Sequence, residues 1–185
     1  SGVSTTDIAD AIVAIEDERF YEHDGVDYYG IARAAVKDVV AGSLDEGAST
    51  ITQQYVDNTL LRDERTLRTF EYKAREAYLA LELEKRKSKA EILELYLNTI
   101  YLGEGAYGAE AAAQTFFAKH AKDLTLAESA LIAGLAQAPS RLDPYDNPEG
   151  AIQRRNLVLG RMLANDMITQ AEHDEAVAVE LALDR

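Results

Sequence analysis

Ser88-Lys89-Ala90-Glu91-Ile92-Leu93-Glu94-Leu95-Tyr96-Leu97-Asn98 opens with Ser-x-x-Glu ahead of an apolar-rich run. At that spacing the hydroxyl and the carboxylate each satisfy a free backbone N–H of a first helical turn, so a helix is expected over 89–101. Thr125 to Glu128 and Thr169 to Glu172 repeat the pattern. Asn147 before Pro148 supplies a fourth start signal, an N-cap followed by a first-turn proline. These place helices over 126–138, 148–165 and 170–181.

Working outward, Ile8, Ile12, Val13 and Ile15 predict a helix ending near Phe20, and Phe70, Ala74, Ala77 and Leu81 predict one over roughly 66–87. A further helix is expected from Ala106 to Phe117, after Gly103 and Gly105. All three prolines lie between Pro139 and Pro148, and strongly alternating apolar and polar runs are missing. The fold class is therefore all-α. The stretch from His23 to Gln54 is less regular, with Gly25, Gly30, Gly42 and Gly47 spaced among Tyr28, Tyr29, Ile31, Val36, Val39 and Val40. It predicts a mobile, partly amphipathic lobe whose residues 28–44 face a membrane surface.

The 185 residues suit one domain or two closely packed lobes, and the 47% apolar content excludes a disordered tail. Nineteen Lys and Arg against 33 Asp and Glu give a net charge of −14. That field repels nucleic acid, so a phosphate-bearing ligand needs a local basic cluster. Without cysteine there are no disulfides, thiolate metal sites or thiol nucleophiles. No run approaches the roughly 18 apolar residues of a membrane span. The start at Ser1 and the stop at Arg185 read as the bounds of an excised domain, its anchors removed.

Two carboxylates stand out. Glu16 has Ile12 and Val13 at i−4 and i−3 and Phe20 at i+4, which sets it on an apolar row; burial of that kind raises basicity and suits a general base. Residues 16–18 equally fit a solvated acidic helix end. Glu76 interrupts a row of Tyr72, Leu79 and Leu83, and a salt bridge to Lys73 or Arg75, or surface exposure, is the structural alternative. Paired carboxylates are the usual equipment for displacement at an anomeric carbon. Between them, Gly47-Ala48-Ser49-Thr50-Ile51-Thr52-Gln53-Gln54 offers hydroxyls and amides to sugar and phosphate oxygens, or a helix cap. Arg62, Arg65, Lys73 and Arg75 are candidate phosphate clamps or ordinary surface cations.

Taken together, five segments resemble, in order, the motifs of glycosyltransferase family 51, the glycosyltransferase domains of class A penicillin-binding proteins and the monofunctional peptidoglycan glycosyltransferases. They are Glu16 to Gly25, Gly47 to Gln54, Lys73 to Glu76, Lys89 to Asn98 and Arg154 to Leu159, and they span almost the whole chain. The resemblance implies a lysozyme-like helical fold over 1–185 with a globular head and a smaller membrane-facing jaw near 24–48. It implies polymerisation of lipid II, with inversion, into β-1,4-linked glycan strands at the extracytoplasmic face of the bacterial membrane. Glu16 would then be the base toward the acceptor 4-hydroxyl, and Glu76 would assist departure of the lipid diphosphate. Ser49, Thr50, Gln53, Gln54, Arg65, Lys73, Arg75 and Asn98 would bind substrate.

No cofactor is required on this reading and no metal-ligand residue is assigned, while magnesium or manganese at the diphosphate is compatible with it. The implied partners are lipid II, the growing strand and the membrane surface, with no nucleic acid, and a transpeptidase domain beyond Arg185 is compatible. Two positions depart from the family pattern: Asp57 stands where a lysine is usual, and Tyr72 where an arginine is common. Asp57 is expected to point away from the diphosphate or to be offset by a cation, Arg62 being the nearest in sequence. A lysozyme-like hydrolase and a non-catalytic glycan- or lipid-binding scaffold are the competing classes.

Overall fold

The computed structural model describes residues 6–41, 49–62 and 69–184. Among them the regular structure is helical: α1 Thr6–Glu16, α2 Tyr28–Ala41, α3 Ile51–Thr59, α4 Phe70–Glu84, α5 Lys89–Thr99, α6 Ala109–Phe117, α7 Leu126–Leu135, α8 Pro148–Ala164 and α9 Gln170–Ala178. The one bridge of extended backbone among them pairs Tyr101 with Tyr107. The all-α expectation holds. The chain forms two compact units, the first from Ser1–Glu18 and Leu97–Arg185, the second from Arg19–Tyr96.

The start signals work as the sequence predicts. Thr125 and Thr169 form complete capping boxes with Glu128 and Glu172, and Asn147 caps α8 ahead of Pro148. Glu91 accepts from Ser88 N at 2.8 Å while Ser88 Oγ accepts from Glu91 N at 3.3 Å. Helix ends fall short of the predicted ones, and two differences have a clear cause. α6 begins at Ala109 because residues 100–108 form a tight turn closed by the Tyr101–Tyr107 bridge. α4 begins at Phe70 because the Thr69 hydroxyl accepts from Tyr72 N.

One helix, α2, lies unforeseen inside the stretch expected to be irregular, and a second, α3, overlaps its end. α2 starts where Asp27 Oδ1 accepts from Gly30 N at 2.9 Å. α3 starts at a full capping box, Thr50 with Gln53, which is the helix-cap alternative of the 47–54 run. Residues 42–48, the end of the expected jaw, lie outside the described residues, as do the side chains of Val36, Val39 and Val40.

In the first unit α7 is the central element. Its residues 129–135 are all buried, so it has no polar face and must be covered on every side, by α1 and α8 above all. Gly134 on α7 lets the Arg154 stem of α8 come close; a Cβ there would lie 2.9 Å from Arg154 Cγ. A cavity of about 460 Å³ in this unit is floored by Phe117, Leu131, Met167, Ile168 and Leu181 and touches none of the predicted site residues.

In the second unit Val56, Leu61, Tyr72 and Ala80 form the apolar centre where α3 meets α4, with Leu79 and Leu83 packed against it. The loop before α2 is pressed onto α4 at Gly25, whose φ is +96° and whose added Cβ would sit 2.8 Å from the Ala80 carbonyl oxygen. Strain and overpacking would act together there. Gly25→Ala is expected to lower stability by about 2–4 kcal/mol. Gly105, with φ +74° and nothing within 4 Å of such a Cβ, carries the strain alone, so Gly105→Ala should cost about 1 kcal/mol. Chemical denaturation of both variants checks the order.

Candidate active site

The predicted site residues fall into one group in each unit. In the second unit they converge on Glu76, which is 1% exposed. A charge so far from water must be paired. Lys73, one turn earlier on α4, places Nζ 2.9 Å from each carboxylate oxygen. Gln53 Nε2 donates to Oε1 at 3.2 Å, and Lys73 Nζ also donates to Ser49 Oγ at 3.4 Å. The salt-bridge alternative for Glu76 is therefore the one realised. It leaves Lys73 half-exposed, with a cationic tip fixed on one side and open on the other.

Gln53 can point at Glu76 because it is the N3 residue of α3, its backbone fixed by the Thr50 cap. Thr50 is 2% exposed and its hydroxyl donates to the Gly25 carbonyl at 2.6 Å, which ties the start of α3 to the loop before α2. Gln54 accepts from Tyr96 O–H at 2.9 Å. Arg75 is exposed on α4, and Arg62 is exposed just past α3. Arg65 lies outside the described residues.

Beneath this group runs a polar network that sequence reading missed. Thr52, fully buried, donates to Glu84 Oε1 at 2.5 Å, and Lys89 Nζ pairs with Glu84 Oε2 at 2.7 Å. The same ammonium lies over the Phe20 ring, 4.5 Å from its centroid, and 3.4 Å from His23 Nδ1, which also accepts from Gly25 N. Residues of three motif segments are thus tied together through Glu84, which lies in none of them. The only sequence signal was their co-occurrence in those segments.

In the first unit Glu16 ends α1. Its predicted neighbours Ile12 and Val13 are buried at 1%. The helix stops four residues earlier than expected, so Phe20 is not an i+4 neighbour on a helical face. Its side chain is 11% exposed and faces Arg154, with Arg154 Nη2 3.8 Å from Oε1. Burial pushes the Arg154 guanidinium below its usual range, with Arg141 and Arg161 adding to this, and the Glu16 carboxylate opposes the shift. A guanidinium keeps its proton even so.

The adjacent arginine has a different duty. Arg155, 3% exposed, donates to the carbonyls of Val177 at 3.0 Å and Val179 at 2.8 Å, pinning the end of α9 and the residue that follows it. Sequence pattern marked this Arg-Arg pair but could not divide it. Asn98 is exposed on α5 and belongs to the first unit.

The two departures from the family pattern meet each other. Tyr72 O–H donates to Asp57 Oδ1 across the α3–α4 contact, and Tyr72 is 5% exposed. Asp57 is therefore held by a phenol beside the apolar centre. Among the described residues no three His, Asp or Glu side chains gather closely enough to hold a metal ion.

The chain belongs to the transglycosylase family, whose sequence model matches residues 3–163. It is 50% identical over 178 residues to penicillin-binding protein 1A of Neisseria flavescens, covering 96% of this chain and 22% of that one. Against penicillin-binding protein 1A of Aquifex aeolicus it is 51% identical over 170 residues, covering 92% and 23%. The crystal structure of penicillin-binding protein 1A from Haemophilus influenzae matches 54% of this chain and 15% of that one, with a TM-score of 0.51 and 46% identity. The chain spans about a fifth of the length of these curated relatives.

Tyr72→Phe removes the donor while keeping the ring, and should destabilise by about 1–2 kcal/mol because Asp57 loses a partner beside the core. Asp57→Asn, which can still accept from the phenol, should cost less. Urea unfolding midpoints of the two variants check this ordering.

Proposed function

We propose that this domain polymerises lipid-linked disaccharide, lipid II, into β-1,4-linked peptidoglycan strands by a single inverting displacement. The observation that carries the reading is a buried carboxylate, Glu76, gripping Lys73 beside Ser49 and Gln53 in a chain of the transglycosylase family.

Glu16 takes the proton of the acceptor 4-hydroxyl. The freed oxygen pair attacks the donor's anomeric carbon, the bond from that carbon to the diphosphate oxygen breaks, and the diphosphate leaves with the electrons. Arg154, 3.8 Å from Glu16 Oε1, orients that carboxylate. Lys73, held by Glu76, offers its cation to the departing phosphates, where charge-assisted bonds are strong. Ser49, Gln54, Arg65, Arg75 and Asn98 complete substrate binding, with Thr50 and Gln53 acting through the α3 cap.

No cofactor is required in this scheme. Magnesium or manganese would assist by neutralising the diphosphate.

A glycan hydrolase is less well supported. Cleaving a glycosidic bond needs a protonated carboxyl at the leaving oxygen, whereas both candidate carboxylates here face cations. A diphosphate needs no such proton.

The place of action is the extracytoplasmic face of the bacterial membrane. Membrane contact is made through the jaw around residues 24–48, which is supported by the exposure of Tyr28, Tyr29 and Ile31. Among the described residues no helix is long and apolar enough to cross a membrane. A transpeptidase domain in the same full-length protein fits the short share of its relatives that this chain spans.

Glu16→Gln keeps the shape of the side chain but cannot take a proton, so polymer formation from lipid II should fall by about 10²–10⁴-fold with the melting temperature little changed. Gel-resolved products, with and without magnesium, read this out. Half the wild-type rate in Glu16→Gln would remove Glu16 as the base. Soluble fragments released from finished cell wall would favour the hydrolase, and precursor binding without polymer would favour the scaffold.

A further inference from the structure

Residues 100–108 form the most constrained stretch of backbone described in the chain. Gly103, Glu104 and Gly105 have φ of 96°, 48° and 74°, three consecutive left-handed residues of which one is not glycine. The turn is closed by Leu102 N to Ala106 O at 3.0 Å, Ala106 N to Gly103 O at 2.7 Å and Gly108 N to Ile100 O at 2.8 Å. Ile100, Leu102 and Ala106 are sunk into the first unit at 5%, 1% and 2% exposure. Backbone strain persists only where surroundings impose it, and it gathers at sites that present something.

What this turn presents is a pair of tyrosines. Tyr101 and Tyr107 are bridge partners, so their side chains leave the same face. The ring centroids are 5.0 Å apart at 44°, and the residues are 37% and 56% exposed. Each ring is steadied by the other, and neither is buried. The carbonyl of Asn98 lies against Gly108, so the exposed Asn98 of α5 belongs to the same local structure.

We propose that the Tyr101–Tyr107 pair is a stacking platform for the glycan strand; the inference rests on the glycan-polymerase reading above. Sugars joined β-1,4 with equatorial substituents show axial C–H bonds on both ring faces. Those weakly positive hydrogens suit the negative face of an aromatic ring. The two phenol hydroxyls stand at the ring edges, where sugar hydroxyls can meet them. Two rings are too small an area for a stable protein interface, which needs about 1,000 Å². They match one or two sugar units. A platform of uncharged side chains also suits a polymer that must slide after each addition, because stacking tolerates a shift along the strand.

The test uses chitotetraose, a soluble β-1,4-linked N-acetylglucosamine tetramer, in calorimetric titrations of the domain, alongside product lengths from lipid II. Tyr101→Leu and Tyr107→Leu keep bulk but remove the ring, and each should weaken tetramer binding by about five- to tenfold. The Tyr→Phe versions should stay within about twofold. Product strands of the Leu variants should be shorter than wild type. Wild-type affinity in the Leu variants, no saturable tetramer binding by the wild type, or equal weakening by Phe and Leu would each overturn the proposal. So would a change confined to oligomeric state in ultracentrifugation, which would make the surface a protein contact. Ring-dependent tetramer binding in a domain that makes no polymer would sink the polymerase reading and leave the platform standing.

Discussion

A carboxylate at the Glu76 position has almost no water to answer to, and that constraint organises the second unit. The charge is answered by Lys73 one turn earlier on the same helix, and by the amide of Gln53. To deliver Gln53, α3 must start at Thr50, and to start there it uses a reciprocal cap whose hydroxyl is itself tied to the Gly25 carbonyl. Gly25 in turn can reach that carbonyl position only because it has no side chain to meet the α4 backbone. A single buried charge thus fixes a helix start, a glycine and the orientation of a lysine. The yield of this arrangement is a half-exposed ammonium whose direction is set before any ligand arrives, so little ordering entropy remains to be lost on binding.

The first unit applies the same physics with the roles divided between neighbours. Arg154 and Arg155 are adjacent on α8, yet one turns to the Glu16 carboxylate and the other holds carbonyls at the end of α9. The glycine at 134 makes room for the first. The sequence pattern set Glu16 on an apolar row; the guanidinium beside it belongs to a residue 138 positions away in the chain, a contact no local pattern could supply.

Much of the fold was legible because helix starts are chemically local. Ser88, Thr125, Thr169 and Asn147 lie within three residues of what they cap, and each was placed correctly. α2 was missed because its glycines and aromatics obscure a helical period, although Asp27 with Gly30 carried a cap signal. Helix ends were set too late at Glu16 and before the 100–108 turn, whose closing bridge joins residues six apart. At the site, Glu76 with Lys73 and Gln53 was within reach of spacing, since Lys73 and Glu76 are three apart on one helix. Asp57 and Tyr72 looked like two separate losses of positive charge. Only the α3–α4 packing reveals them as one hydrogen-bonded pair.

The central claim is that Lys73 and Glu76 act as one unit, the carboxylate through the ammonium it positions. A double-mutant cycle on the rate of lipid II polymerisation, with Lys73→Met, Glu76→Gln and both together, tests it most directly. The predicted result is a double variant no slower than the more damaged single one. Losses that multiply, each substitution reducing the rate by its own factor whether or not the other is present, would contradict the account.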